Sequence, residues 1–198
     1  MNDAPFTPSK EQIALLEPFE RLPLNRISLV ATGGEAERAV RELKGATVLG
    51  FDTESKPTFA KGELSDGPHI VQLATLDHAW VFQLHDPVCR EALVELLAAH
   101  ASKKVGFGLG DDIRRIRAKL GVEAFGVVDL NHLFRARSYR KDIGVKTAVA
   151  VLFEKRFLKS GKASTSNWAA RTLSESQLMY AANDAWAAAR VFAALNLS

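Results

Sequence analysis

Two rhythms of apolar and polar positions run along this chain, and the switches between them mark out the elements. Residues 27–30 form a short apolar run of strand type, and residues 34–43 place Ala36, Val40 and Leu43 on one side of a helix. Residues 47–51 (Thr-Val-Leu-Gly-Phe) are β-branched and apolar, the pattern of a central strand. Two further strands, 70–75 and 79–84, are separated only by Asp77-His78, a gap that permits only an antiparallel hairpin. Residues 89–100 then read as a helix with Leu93, Leu96 and Leu97 apolar. They are followed by a strand at 104–108, a helix at 112–120 and a strand at 127–130. The remainder is largely helical, with breaks around 161–166.

A meander of early strands followed by strands alternating with helices predicts an α/β domain, a mixed sheet covered by helices on both faces. No internal repeat, low-complexity tract or Gly/Pro/Ser-rich linker divides the chain. Residues 27–198 are therefore expected to form one domain, with 1–26 as an extension packed on it or preceding it. A domain of 198 residues buries roughly 70% of the surface that its unfolded chain exposes, so its core needs no disulfide or metal to hold it.

Composition narrows the classes. Charged residues make up 25% and hydrophobic residues 47%, with a mean hydropathy of -0.04, which excludes a disordered chain. The lone Cys89 removes disulfide scaffolds and thiolate metal sites and fits a reducing, cytoplasmic setting. No apolar run approaches the roughly 18 residues of a membrane span. The first 20 residues carry Asp3, Glu11, Glu17 and Glu20, so they are expected to be mature protein, not a secretion signal. The formal charge of +3 leans towards a polyanionic partner. Basic residues cluster in 114–117, 135–141 and 155–162, either as solvated faces or as phosphate contacts.

Carboxylates stand in three places where packing alone would not choose them. Asp52 and Glu54 follow the central-strand run two residues apart, so they point to the same face, about 7 Å apart along the chain. The C-terminal helix follows Ser174, a plausible N-cap, and at 100° per residue Tyr180, Asp184, Ala187, Ala188, Val191 and Leu195 share one stripe. Asp184 is thus expected on a buried face, where an acid is costly unless a cation or donors meet it. In the segment Val105-Gly106-Phe107-Gly108-Leu109-Gly110-Asp111-Asp112, the helix stripe formed by Ile113, Ile116 and Leu120 places Asp112 inward and Asp111 towards water. The glycines give G-x-G-x-G, not the G-x-G-x-x-G of a dinucleotide turn.

Convergence of Asp52, Glu54, Asp112 and Asp184 would be self-repelling. At an effective dielectric near 20, each pair at about 4 Å costs roughly 4 kcal/mol, so such a cluster takes up protons or recruits cations. All-oxygen ligation favours Mg²⁺ or Mn²⁺ over Zn²⁺. A two-metal carboxylate site suits in-line attack of water on a phosphodiester.

Phe51-Asp52-Thr53-Glu54, Gly106-x-Gly108-x-x-x-Asp112 and Tyr180-Ala181-Ala182-Asn183-Asp184-Ala185 resemble the three motifs of the DEDD superfamily of 3′-to-5′ exonucleases. The likeness is to the tyrosine subclass, similar to ribonuclease D and the exonuclease domain of the Werner syndrome helicase. Residues 70–74, Ser166-Asn167-Trp168 and Leu173-Ser174 support it, and Met179 stands where the sister subclass carries histidine. The resemblance implies a ribonuclease H-like fold, a mixed five-stranded sheet flanked by helices, and release of nucleoside 5′-monophosphates from the 3′ end of DNA or RNA. It implies that Asp52, Glu54 and Asp184 hold a first Mg²⁺ or Mn²⁺ ion, that Asp52 bridges to a second held by Asp112, and that Tyr180 orients the attacking water. The Asp111-Asp112 doublet leaves the second motif's register open by one residue, and Val145-Lys146 departs from the Leu-Ala or Ser-Leu of relatives.

In that setting Lys159, Lys162 and Arg171 become candidate phosphate contacts, with Lys155 and Arg156 beside them. Phe107 and Trp168 become candidate stacking platforms for terminal bases, Trp168 alternatively an anchor under the last helix. With no helical nucleic-acid-binding domain after residue 198, grip on single-stranded or 3′-ended substrate is expected from this domain alone. The competing reading is a catalytically silent nucleic-acid-binding module of the same fold.

Overall fold

The computed structural model describes residues 5–58 and 66–197. Six strands form one sheet: β1 (Ile27–Val30), β2 (Val48–Glu54), β3 (Ile70–Ala74), β4 (Ala79–Gln83), β5 (Lys103–Gly106) and β6 (Val127–Asp129). Their order is β1-β4-β3-β2-β5-β6. The pairs β2–β3 and β3–β4 are antiparallel, whereas β1–β4, β2–β5 and β5–β6 are parallel. The sheet is thus mixed as predicted, and its six strands are the six read from the periodicity, one more than the five that the resemblance implies. β1 pairs along the outer side of β4, whose backbone groups would otherwise form a bare edge.

Helices cover both faces. α2 (Gly33–Leu43), α3 (Pro87–Ala98) and α4 (Gly110–Leu120) lie over Leu49, Phe51, Val71, Leu73 and Phe82. The opposite face carries α5 (Leu130–Ala136), α6 (Val145–Phe153), the one-turn α7 (Gly161–Ser164) and α8 (Glu175–Leu197) over Ile70, Ala74, Val81 and Val105. α7 lies within the stretch read as a break, its first turn capped by the Ser160 hydroxyl. α1 (Lys10–Ala14) precedes a docked segment in which Phe19 and Leu22 are buried and Asn183 Oδ1 accepts the Leu22 N–H at 2.8 Å.

Alternation along β2 decides what the site becomes. Leu49 and Phe51 face the α2–α4 side, which turns Gly50, Asp52 and Glu54 towards α8. α8 itself is buried over far more of its circumference than one stripe, because Ala181, Ala182, Ala185 and Ala189 let it lie close against the sheet. A Cβ at Gly50 would come 1.9 Å from the Ala185 carbonyl oxygen, so only glycine permits this approach.

Candidate active site

The sequence expectation ended the strand before the acids, but β2 stays paired through them, Asp52 opposite Gln72 and Glu54 opposite Ile70. Ladder pairing therefore holds both carboxylates rigidly. Asp184 arrives from α8, whose first turn is fastened by Gln177 N–H donating to the Ser174 hydroxyl at 3.2 Å. Carboxylate oxygens of Asp52, Glu54 and Asp184 all lie within 4.8 Å of one another, and among the described residues these three form the mutually close acid set.

Asp112 stands beside the triad, not within it. It opens α4 and accepts a hydrogen bond from the Thr53 hydroxyl, between the two β2 acids in sequence. Asp111 turns outward to Arg114 at 2.9 Å, so of the doublet it is Asp112 that faces the sheet, the orientation that the stripe geometry predicts. Upstream, Gly106 is compelled by packing, since a Cβ there would meet the Phe51 carbonyl oxygen at 2.4 Å. Gly108 has φ +66°, and its N–H and that of Leu109 donate to the Asp129 carboxylate, each at 3.2 Å. The glycines therefore bring α4 close to β2, and Asp129 locks the turn that sets Asp112. Sequence reasoning passed over Thr53 and Asp129; an acid at a strand terminus next to a glycine-rich turn was the available signal.

Electrostatics follow from crowding. Burial, then the Asp184 and Asp112 charges, push the Asp52 carboxyl up to about 8. Burial, then Asp52 and Asp184, push Glu54 up to about 9. Burial likewise raises Asp112 against the Thr53 bond, and raises Asp184 against the pull of Lys159. The Tyr180 phenol is moved up to about 12 by burial and then by Asp184, so it keeps its proton at neutral pH. A set that holds protons this far above the carboxylate range fits a hard divalent cation, which would replace those protons with charge.

Lys159 supplies the cation present in the protein itself. Its ammonium lies 2.5 Å from Asp184 Oδ2 and 5.0 Å from the centre of the Tyr180 ring. Although burial works against its charge, Asp184 holds its proton above the ordinary lysine value. Lys159, Asp52 and Asp184 line a pocket of about 430 Å³ with Phe107, Lys146 and the start of α6 at Gly144-Val145. The Val145-Lys146 departure thus falls in the wall of this pocket.

Other expected contacts are distributed differently. Phe107 is half-buried in the pocket wall and stacks on Phe134 at 6.5 Å. Lys162 and Arg171 are exposed. Trp168 is a correction: it is fully buried, 5.9 Å from Tyr180, so its faces pack against the protein and offer no platform to a base. Arg156 is likewise committed, donating to the Ala14 carbonyl at 2.7 Å to hold the N-terminal segment.

A mixed sheet between helix layers, with acids meeting where the central strand touches the last helix, defines a ribonuclease H-like domain with a carboxylate site suited to metal. The chain belongs to the 3′-5′ exonuclease family, whose model matches residues 27–198. A curated 3′-5′ exonuclease of Arabidopsis thaliana is 29% identical over 157 residues, which cover 78% of this chain and 54% of that protein. The chain thus spans about half the length of that relative. The Nibbler EXO domain of Aedes aegypti superimposes with a TM-score of 0.75 at 22% identity, covering 90% of each chain. Trypanosoma brucei RNase D in complex with RNA U12 does so with a TM-score of 0.75 at 23% identity, over 85% of this chain and 62% of that one. No helix among the described residues is long and apolar enough to cross a membrane.

Proposed function

We propose that this protein hydrolyses nucleic acid one nucleotide at a time from a free 3′ end, releasing nucleoside 5′-monophosphates, with two Mg²⁺ or Mn²⁺ ions at the acid cluster. The observation that carries the reading is the set of three carboxylates within 4.8 Å, drawn from β2 and α8. In this reading Asp52, Glu54 and Asp184 hold the first ion, and Asp52 and Asp112 hold the second. Bound there, the ions supply an activated water and charge for the departing oxygen.

The chain's own groups do the remainder. Tyr180, protonated at neutral pH, orients the water as a hydrogen-bond partner and does not serve as the base. Tyr180 and Asp184, four residues apart on α8, face one place. Lys159 balances Asp184 before substrate arrives and lies where it meets a phosphate afterwards. Phe107 and Lys146 border the strand's entry. Lys162 and Arg171 extend the basic surface along the chain that leads into α8. RNA is the first substrate to try, because the RNase D of similar fold was solved with RNA.

The test is digestion of 5′-labelled single-stranded RNA, single-stranded DNA and recessed duplexes with added Mn²⁺. A ladder shortening from the 3′ end, absent in Asp52→Ala and Asp184→Asn, supports the reading. Internal cleavage, or equal activity in the variants, overturns it.

A further inference from the structure

A second cavity, of about 270 Å³, lies alongside the acid cluster and uses none of its residues. His69 forms one wall; its backbone N–H donates to the Glu54 backbone carbonyl at 2.9 Å, so the cavity begins next to that acid, just before β3. Trp168 forms another wall, its ring 5.9 Å from that of Tyr180. The lining carries two cations and two imidazoles: Arg90 of α3 and Lys119 of α4 converge there with His69, just before β3, and His85, just after β4.

Among the described residues the opposing charge is Asp66, whose carboxylate lies 3.1 Å from His69 Nε2 and whose backbone carbonyl accepts from Lys119 at 2.8 Å. Arg90 spends its Nη1 on the Leu84 carbonyl at 2.9 Å. Burial and then Lys119 lower the His69 pKa, and burial lowers that of Lys119 against the opposing Asp66 charge, with Arg90 adding a smaller push.

The second observation concerns hydrogen bonding. Of the three tryptophans, Trp80 donates its indole N–H to Glu42 at 2.9 Å and Trp186 donates to the Leu76 carbonyl at 2.7 Å. The indole N–H of Trp168, wholly buried, has no partner among the described residues. Gln83 differs: its Nε2 donates to the Ala170 carbonyl at 3.0 Å, and its buried Oε1 is an acceptor with no partner among the described residues, which a water or a protonated phosphate oxygen would meet and a bare anionic oxygen would not. An orphan buried donor is costly, and one lining a basic cavity is matched by an anionic acceptor.

We propose that this cavity is an anion site that takes a phosphate group, separate from the acid cluster and independent of the ions expected there. Its volume corresponds to about nine waters, enough for a tetrahedral anion with part of its hydration shell. The phosphate comes either from the backbone of a bound strand or from the free anion.

Metal-free protein in EDTA separates this site from catalysis, because no ion is then held at the acid cluster to bind phosphate there. Inorganic phosphate is titrated while the three indole N–H resonances are followed by ¹H–¹⁵N NMR. The Trp168 resonance is expected to move while those of Trp80 and Trp186 stay. Lys119→Gln and His85→Gln, both at solvent-reachable side chains, are each expected to weaken the response about tenfold, and Asp184→Asn to leave it unchanged. No movement of Trp168 at millimolar phosphate overturns the proposal, as does a response that survives Lys119→Gln or vanishes in Asp184→Asn. A short oligonucleotide added in EDTA then identifies the source. Displacement of phosphate from the cavity assigns the site to strand phosphate, and undiminished phosphate binding assigns it to the free anion.

Discussion

Gly50 on β2 and Ala185 on α8 stand so close that a methyl group on the glycine would lie 1.9 Å from the alanine's carbonyl oxygen. Asp52 follows Gly50 by two residues on the same face of β2, and Asp184 immediately precedes Ala185 on α8. The contact that brings strand and helix together therefore also sets the distance between their carboxylates. Gly50→Ala must push α8 off the sheet. Overpacking of this kind costs about 3 kcal/mol or more, which lowers Tm by roughly 6–12 °C in a domain of this size. Thermal unfolding checks it, and the nuclease activity proposed above should fall more than the lost stability alone explains.

The acid cluster makes stability depend on pH in a definite direction. Asp52 and Glu54 titrate near 8 and 9 in the folded state but in the ordinary carboxylate range when unfolded. Between about pH 4.5 and 9 the folded state binds more protons than the unfolded one, so stability falls as pH rises through that window. In EDTA the Tm should drop steadily from pH 5 to pH 9. Saturating Mg²⁺ or Mn²⁺ should flatten the curve by raising its alkaline end, and Asp52→Asn should flatten it without metal.

If Asp184 holds an ion as proposed, that ion would compete with Lys159 for the Asp184 carboxylate. Lys159→Met removes the internal competitor along with the only cation at 2.5 Å from that carboxylate among the described residues. The variant's Tm in EDTA is expected to fall, and its rise on adding Mn²⁺ to exceed that of the wild type. Paired melts with and without metal decide this; an identical metal response in both proteins would show that the lysine does not guard the site.

Two adjacent acids should behave very differently. Asp111 points to Arg114 on the surface, and Asp112 is tied to Thr53 beside the triad. Asp111→Asn is expected to change kcat less than about twofold, since exposed ion pairs contribute little. Asp112→Asn is expected to lower it by at least about a hundredfold, the scale of losing a preorganised electrostatic contact. Equal effects in steady-state kinetics would refute the assignment.

Polarity gives the last prediction. A single strand blocked by a 3′-phosphate should resist digestion, and one blocked at its 5′ end should not. Indifference to the blocked end on a sequencing gel would identify internal cleavage.

Much of this was legible along the chain because it depends on local periodicity. Alternation on β2 put Asp52 and Glu54 on one face, the 100° step of α8 put Tyr180 with Asp184, and the stripe of α4 chose Asp112 over Asp111. Each is a relation between residues a few positions apart, set by backbone geometry alone. The tertiary structure decided what depends on residues far apart in sequence. It set Asp112 to one side of a triad, it brought Lys159 onto Asp184, and it buried Trp168, whose neighbours come from other segments. It also chose the partner of β1, a strand legible in residues 27–30, by seating it in parallel along the outer side of β4. Periodicity shows which way a side chain points; only packing shows what it meets.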